Sequence, residues 1–120
     1  MTGFPNTLNK RHGLHIHWSS IESSSDDPLE FCSKTGPHFN PTNGTHGDFS
    51  TSSSRHLGDY GNVESRNGSI VATLEDETNK LVGPNSIIGR SLVLHRDEDD
   101  LGKKGDQGSM TSGNSGIYFN

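Results

Sequence analysis

The chain has 120 residues and a formal net charge of −5, from 10 Lys and Arg against 15 Asp and Glu, a balance that argues against nucleic acid or an anionic membrane surface as its main partner. No apolar run approaches the roughly 18 residues of a membrane-spanning helix, and no apolar stretch of the signal-peptide kind follows Met1-Thr2-Gly3-Phe4-Pro5. Leu, Ile, Val and Phe number only 24 while Gly contributes 15, and Cys32 is the sole cysteine. So small a core calls for a staple, and since an intrachain disulfide is impossible, the staple is a metal or a partner.

Residues 1–10 carry no period and read as an unpatterned N-terminal segment ahead of a single domain over 11–120. Residues 11–18 alternate and predict a strand in which His15 and His17 share one face and Ile16 takes the other. Residues 19–30 are rich in Ser and Asp, a solvated loop. Residues 32–56 hold almost nothing apolar beyond Phe39 and Phe49, and a loop that long is functional or disordered. Its three histidines favour function, because ligation would order it.

Residues 57–64 and 69–75 flank Ser65-Arg66-Asn67-Gly68, in which Asn-Gly is a strong hairpin signal. Asn67-Gly68-Ser69 and Asn43-Gly44-Thr45 also match the glycosylation sequon, but both are read as turns. Residues 87–95 form the clearest strand, 96–115 a charged and then Gly-rich loop, and 117–119 the start of a last strand. The fold class is therefore all-β and antiparallel, with two long loops, no amphipathic helix and no internal repeat.

Six of the seven histidines, with one acid, form the layout of a metal site. His15, His17 and His95 lie in strand-like segments able to fix them around one ion. His46, His56 and Asp59 lie on loops, where His56-x-x-Asp59 lets two ligands converge from one turn. His38 falls between the two sets and, with two ring nitrogens, is able to serve both. Neutral imidazole suits zinc and copper, and an added carboxylate is an ordinary zinc ligand.

The order of these motifs resembles copper/zinc superoxide dismutase. Gly13-Leu14-His15-Ile16-His17 is similar to that family's first copper-ligand strand, Gly36-Pro37-His38-Phe39-Asn40-Pro41 to its bridging-histidine segment, and Arg55-His56-Leu57-Gly58-Asp59-Tyr60-Gly61-Asn62-Val63 to its zinc segment. Residues 87–95 resemble the strand ending in the last copper ligand, and Asp99-Asp100-Leu101-Gly102-Lys103 with Gly113-Asn114-Ser115-Gly116 the electrostatic loop. The resemblance implies a partial Greek-key β-barrel or sandwich of the dismutase type.

It further implies copper on His15, His17, His38 and His95 and zinc on His38, His46, His56 and Asp59, with His38 bridging and carrying a proton. Asp99 would link His15 to His46, and His12 is left a structural role. The implied activity converts superoxide anion to dioxygen and hydrogen peroxide through copper redox cycling. The alternative is a weakly active or non-catalytic copper/zinc-binding relative or fragment. The family's strands before the His-x-His strand, and most of its last strand, have no counterpart, so completion by a second copy or another chain is expected. The family's active-site arginine aligns with Tyr118, Cys32 is expected as a free thiol, and Met110 and Thr111 occupy the region of the guiding lysine. Family practice suggests a cytoplasmic enzyme, with an extracellular one left open.

Overall fold

The computed structural model describes residues 9–21, 33–50 and 53–116. One antiparallel sheet organises them, in the order β3-β2-β1-β4. The central strand β1 (Lys10–His17) pairs with β2 (Asp59–Arg66) on one side and with β4 (Ser91–Leu94) on the other. A strand flanked on both sides loses its solvent edge, and from His12 to His17 every residue of β1 is buried.

The register explains how β1 serves two neighbours. It faces β2 from Lys10↔Ser65 to His15↔Asp59, with an irregularity between Gly13 and His15, and faces β4 from Leu14↔Leu94 to His17↔Ser91. Gly13 leaves the room this packing needs: a Cβ there would lie 2.8 Å from Cβ of Ser115 and 3.1 Å from Cε1 of His15. Where β2 parts from β1, residues 35–39 take its place as a strap. Trp18 N–H donates to the Pro37 carbonyl at 3.0 Å, and Phe39 N–H to the Ile16 carbonyl at 2.7 Å. His38 is thereby bridged directly to His17.

The hairpin from β2 to β3 (Ser69–Ile70) turns at Asn67 and Gly68, with φ of 49° and 74°. Positive φ at both central residues is the reason for Asn-Gly, since it matches the twist of the strands. The expected strand over 69–75 is only these two residues; Val71 is 96% exposed, and with no strand beside it among the described residues the chain leaves the sheet. Two other bounds also shift. β2 runs on through Ser65 and Arg66, which the sequence reading assigned to the turn, and β4 begins at Ser91, because residues 86–90 turn on Gly89 at φ 76°.

The loop after β4 holds a short helix that the apolar pattern did not reveal, α1 (Gln107–Ser112). Its signals are at the ends. The Asp106 carboxylate accepts the Ser109 N–H, and Gly113 closes it at φ 65°, the N-cap and C′ chemistry expected of those residues. Ile16, Phe39 and Leu57 form the buried apolar cluster, with Tyr60 and Ile87 against it. Among the described residues no helix is long and apolar enough to cross a membrane. Cys32, Tyr118 and the expected last strand lie outside the described residues.

Candidate metal centre

The strand period aims His15 and His17 to one side of β1, and the strap, β4 and the two loops bring the other expected residues to them. His15, His17, His38 and His95 offer one ligand atom each within 4.8 Å of one another, as do His15, His38, His46 and Asp59. All of them are buried. His17 Nε2 and His95 Nε2 stand 3.3 Å apart. Oδ1 of Asp59 is the meeting point of the second set, lying 2.8 Å from His38 Nδ1, 3.0 Å from His46 Nδ1 and 3.2 Å from His56 Nδ1. His56 therefore sits against the second group without belonging to it at the tighter spacing.

The remaining atoms of these side chains are tied down. His15 Nε2 and His46 Nε2 each lie 2.8 Å from a different oxygen of Asp99. His17 Nδ1 donates to the Gly36 carbonyl at 2.6 Å and His95 Nδ1 to the Gly116 carbonyl at 2.9 Å. A carbonyl only accepts, so both rings carry their proton on Nδ1 and turn the Nε2 lone pair inward. Oδ2 of Asp59 accepts the backbone N–H groups of Gly47 and His56, both at 3.1 Å, which leaves Oδ1 for the three rings.

Four ring nitrogens remain buried without a hydrogen bond: Nδ1 of His15, Nε2 of His38, and Nδ1 of His46 and of His56, which lie near Asp59 Oδ1 but out of line with it. A buried unpaired polar atom costs about 1–3 kcal/mol, and four together mark a place built for something else. They are the atoms that face the two groups. A cation of the zinc or copper kind, which prefers imidazole and carboxylate donors, fits them.

Electrostatics divides the site. Burial, with His38 nearby, lowers the His17 pKa to about 3, and burial lowers His95 to about 4. His15 is also held well below its ordinary value by burial, against the pull of Asp99, and His38 by burial against that of Asp59. These rings are neutral at pH 7, the state a metal ligand requires. His46 behaves in the opposite way: burial lowers its pKa, but the facing carboxylates of Asp59 and Asp99 prevail and raise it to about 9. Burial pushes both carboxyls up, yet the facing histidines bring Asp99 down to about 2 and Asp59 well below the usual carboxylate range.

The sequence reading named every side chain that converges here, but not the residues that hold Asp99. Asn62 does so twice, donating to the Asp99 carbonyl and accepting the Asp99 N–H, both at 2.8 Å. Its sequence signal is its place within residues 55–63, the stretch that resembles the family's zinc segment, three residues after Asp59. The Gly36 and Gly116 carbonyls have no side-chain signal at all. His12 matches its structural expectation: it is 2% exposed and lies 3.1 Å from Ser65 Oγ and from the His95 carbonyl.

A pH dependence follows for the metal-free chain. His17 and His95 take up protons near pH 6.5 when unfolded but only near pH 3–4 when folded. The unfolded state therefore binds more protons below pH 6.5, and stability falls as pH drops through that window. By pH 4 each costs on the order of 3 kcal/mol. Urea unfolding of the metal-free protein between pH 7 and 4 is expected to show a steep loss; a midpoint constant across that range contradicts the burial argument.

The family model for copper/zinc superoxide dismutase matches residues 1–119. Relatives include the copper–zinc superoxide dismutase of Neurospora crassa, 44% identical over 112 residues, which cover 92% of this chain and 68% of that protein. That of Schizosaccharomyces pombe is 46% identical with the same coverage, and an extracellular copper–zinc superoxide dismutase of Brugia pahangi is 47% identical over 88% of this chain and 51% of that protein. The chain thus spans about two thirds of the length of the two fungal relatives, and with the family model matching nearly every residue, it belongs to the copper/zinc superoxide dismutase family.

Proposed function

We propose that the chain is a superoxide dismutase that holds copper on His15, His17, His38 and His95 and zinc on His38, His46, His56 and Asp59. The observation that carries this reading is the division of labour at His38. Its Nδ1 lies 2.8 Å from Asp59 while its Nε2 is buried without a partner, so one ring offers a nitrogen to each group. His15 also belongs to both groups by distance, but its Nε2 is committed to Asp99, and only Nδ1 remains. His38 is the shared ligand.

Bound copper supplies one-electron exchange, by which two superoxide anions and two protons become dioxygen and hydrogen peroxide, and bound zinc supplies a fixed charge. The chain's own residues supply geometry and the proton. Asp99 orients the His15 and His46 rings, and the Gly36 and Gly116 carbonyls orient His17 and His95. Second-layer contacts of this kind fix the tautomer and direction of a ligand ring. His38 Nε2, buried but unpartnered, is the atom that takes up and releases the proton. A cavity of about 460 Å³ opens on His38 and His56, walled by Trp18, Asn40, Thr45, Met110 and Thr111 among others. No Lys or Arg lines it among the described residues, so anion attraction at this opening is weak.

A second copy is the proposed partner. Ile70, Ala72, Leu74, Leu92 and Leu94 line an apolar groove on the sheet, and Leu92 and Leu74 are 50% and 41% exposed. Open apolar surface beside a strand edge that no described residue covers favours association. A cytoplasmic setting is proposed with it, as the family resemblance suggests; an extracellular setting, that of the Brugia pahangi relative, is the alternative.

Superoxide decay followed by stopped flow is expected to be faster with copper- and zinc-loaded protein than with an equal amount of free copper, and to depend only shallowly on ionic strength. A rate equal to free copper contradicts the enzyme reading and leaves a protein that only holds the metals. Asp99→Asn is expected to weaken metal binding roughly 10- to 100-fold, measured by chelator competition; unchanged affinity shows that Asp99 does not orient the ligands. Sedimentation equilibrium is expected to give a mass that rises with concentration toward a dimer, and a constant monomer mass contradicts the partner proposal.

A further inference from the structure

Arg90 belongs to neither ligand group, yet it grips the residue after His17 and the residue after His38. Its guanidinium carbon stands 3.8 Å from the centroid of the Phe39 ring and 4.7 Å from that of Trp18. Nη1 donates to the Trp18 carbonyl at 2.7 Å, and Nε donates to the Ser86 carbonyl at 3.0 Å. Phe39 has no exposed surface, and the Trp18 and Phe39 rings meet edge to face with centroids 5.0 Å apart. Among the described residues Arg90 makes no ion pair with a carboxylate, so its charge is spent on the two rings and the carbonyls.

Three segments converge on this one side chain. Trp18 follows the end of β1, Phe39 belongs to the strap, and Arg90 immediately precedes Ser91, which faces His17 in the β1–β4 register. The strap is held to the end of β1 by the backbone bonds of Ser19 N–H to Thr35, Trp18 N–H to Pro37 and Phe39 N–H to Ile16. A planar cation suits the task because it stacks on an aromatic face while its N–H groups donate within the plane. An aliphatic side chain of the same length would fill the space without either hold.

We propose that Arg90 is a positioning residue for His38. By stacking on Phe39 and holding the Trp18 carbonyl, it locks the strap against β1 and fixes the direction of the His38 ring between the two ligand groups. This rests on the reading of His38 as the shared ligand.

The test uses Co(II) as a probe of the Asp59 side and Cu(II) as the second ion. Wild type and Arg90→Met, both prepared metal-free, are loaded with one equivalent of Co(II), their visible bands are recorded, and Cu(II) is then added. In wild type the Co(II) bands are expected to shift on adding Cu(II), because one ring serves both ions. Arg90→Met is expected to bind Co(II) roughly tenfold more weakly and to lose most of that shift. Wild-type affinity and shift in Arg90→Met, even with a lowered melting temperature, overturn the proposal and leave Arg90 a stabilising residue only. If Arg90→Met does not fold, Arg90→Gln carries the same comparison, since it still donates to a carbonyl but has no charge to stack: a reduced shift supports the proposal and a wild-type shift overturns it. Wild-type Co(II) bands that ignore Cu(II) overturn the shared role of His38 itself.

Discussion

One carboxylate holds the two halves of the site in register. Asp99 gives one oxygen to His15 and the other to His46, each at 2.8 Å, and is 1% exposed. A carboxylate buried this deeply is tolerable only if paired and hydrogen-bonded. The structure meets that condition with the two rings and the Leu101 N–H, which donates to Oδ1 at 2.7 Å. Because His15 belongs to β1 and His46 to the long loop, the loop is fastened to the sheet through this group. Gly113 shows how closely it is enclosed: a Cβ there would fall on Asp99 Oδ1 and 2.5 Å from His46 Nε2.

The rest of the fold reads as support for that polar centre. Only six apolar side chains are buried among the described residues, Leu14, Ile16, Phe39, Leu57, Val63 and Val93, so apolar packing alone gives a modest core. Ile16, Phe39 and Leu57 stand immediately beside His17, His38 and His56 in the chain. Each apolar contact therefore also fixes a ligand ring. The buried unpaired ring nitrogens are the cost of that arrangement, and ligation is what relieves it.

Much of this was legible from residue types and order. The alternation around His15 and His17, the Asn67-Gly68 turn and the His56-x-x-Asp59 spacing each rest on a local rule, and each appears in the structure. The strand lengths were less legible. Residues 71–75 alternate well but have no neighbouring strand to pair with among the described residues, and pattern alone does not supply one. Helix α1 escaped because it has no apolar stripe; Asp106 and Gly113 announced it, but caps are weak signals without periodicity. The contact of Arg90 with Phe39 and Trp18 joins residues separated by 51 and 72 positions, from 39 and 18 to 90, and no local rule reaches that far.

The central claim is that His38 stands between two different ions, with His15, His17 and His95 on one side and His46, His56 and Asp59 on the other. Anomalous diffraction from crystals of the copper- and zinc-loaded protein, collected at both absorption edges, tests it most directly. The account predicts a copper peak and a separate zinc peak flanking the His38 ring, each against its own nitrogen. A single peak, or a His38 ring in contact with one ion alone, contradicts it.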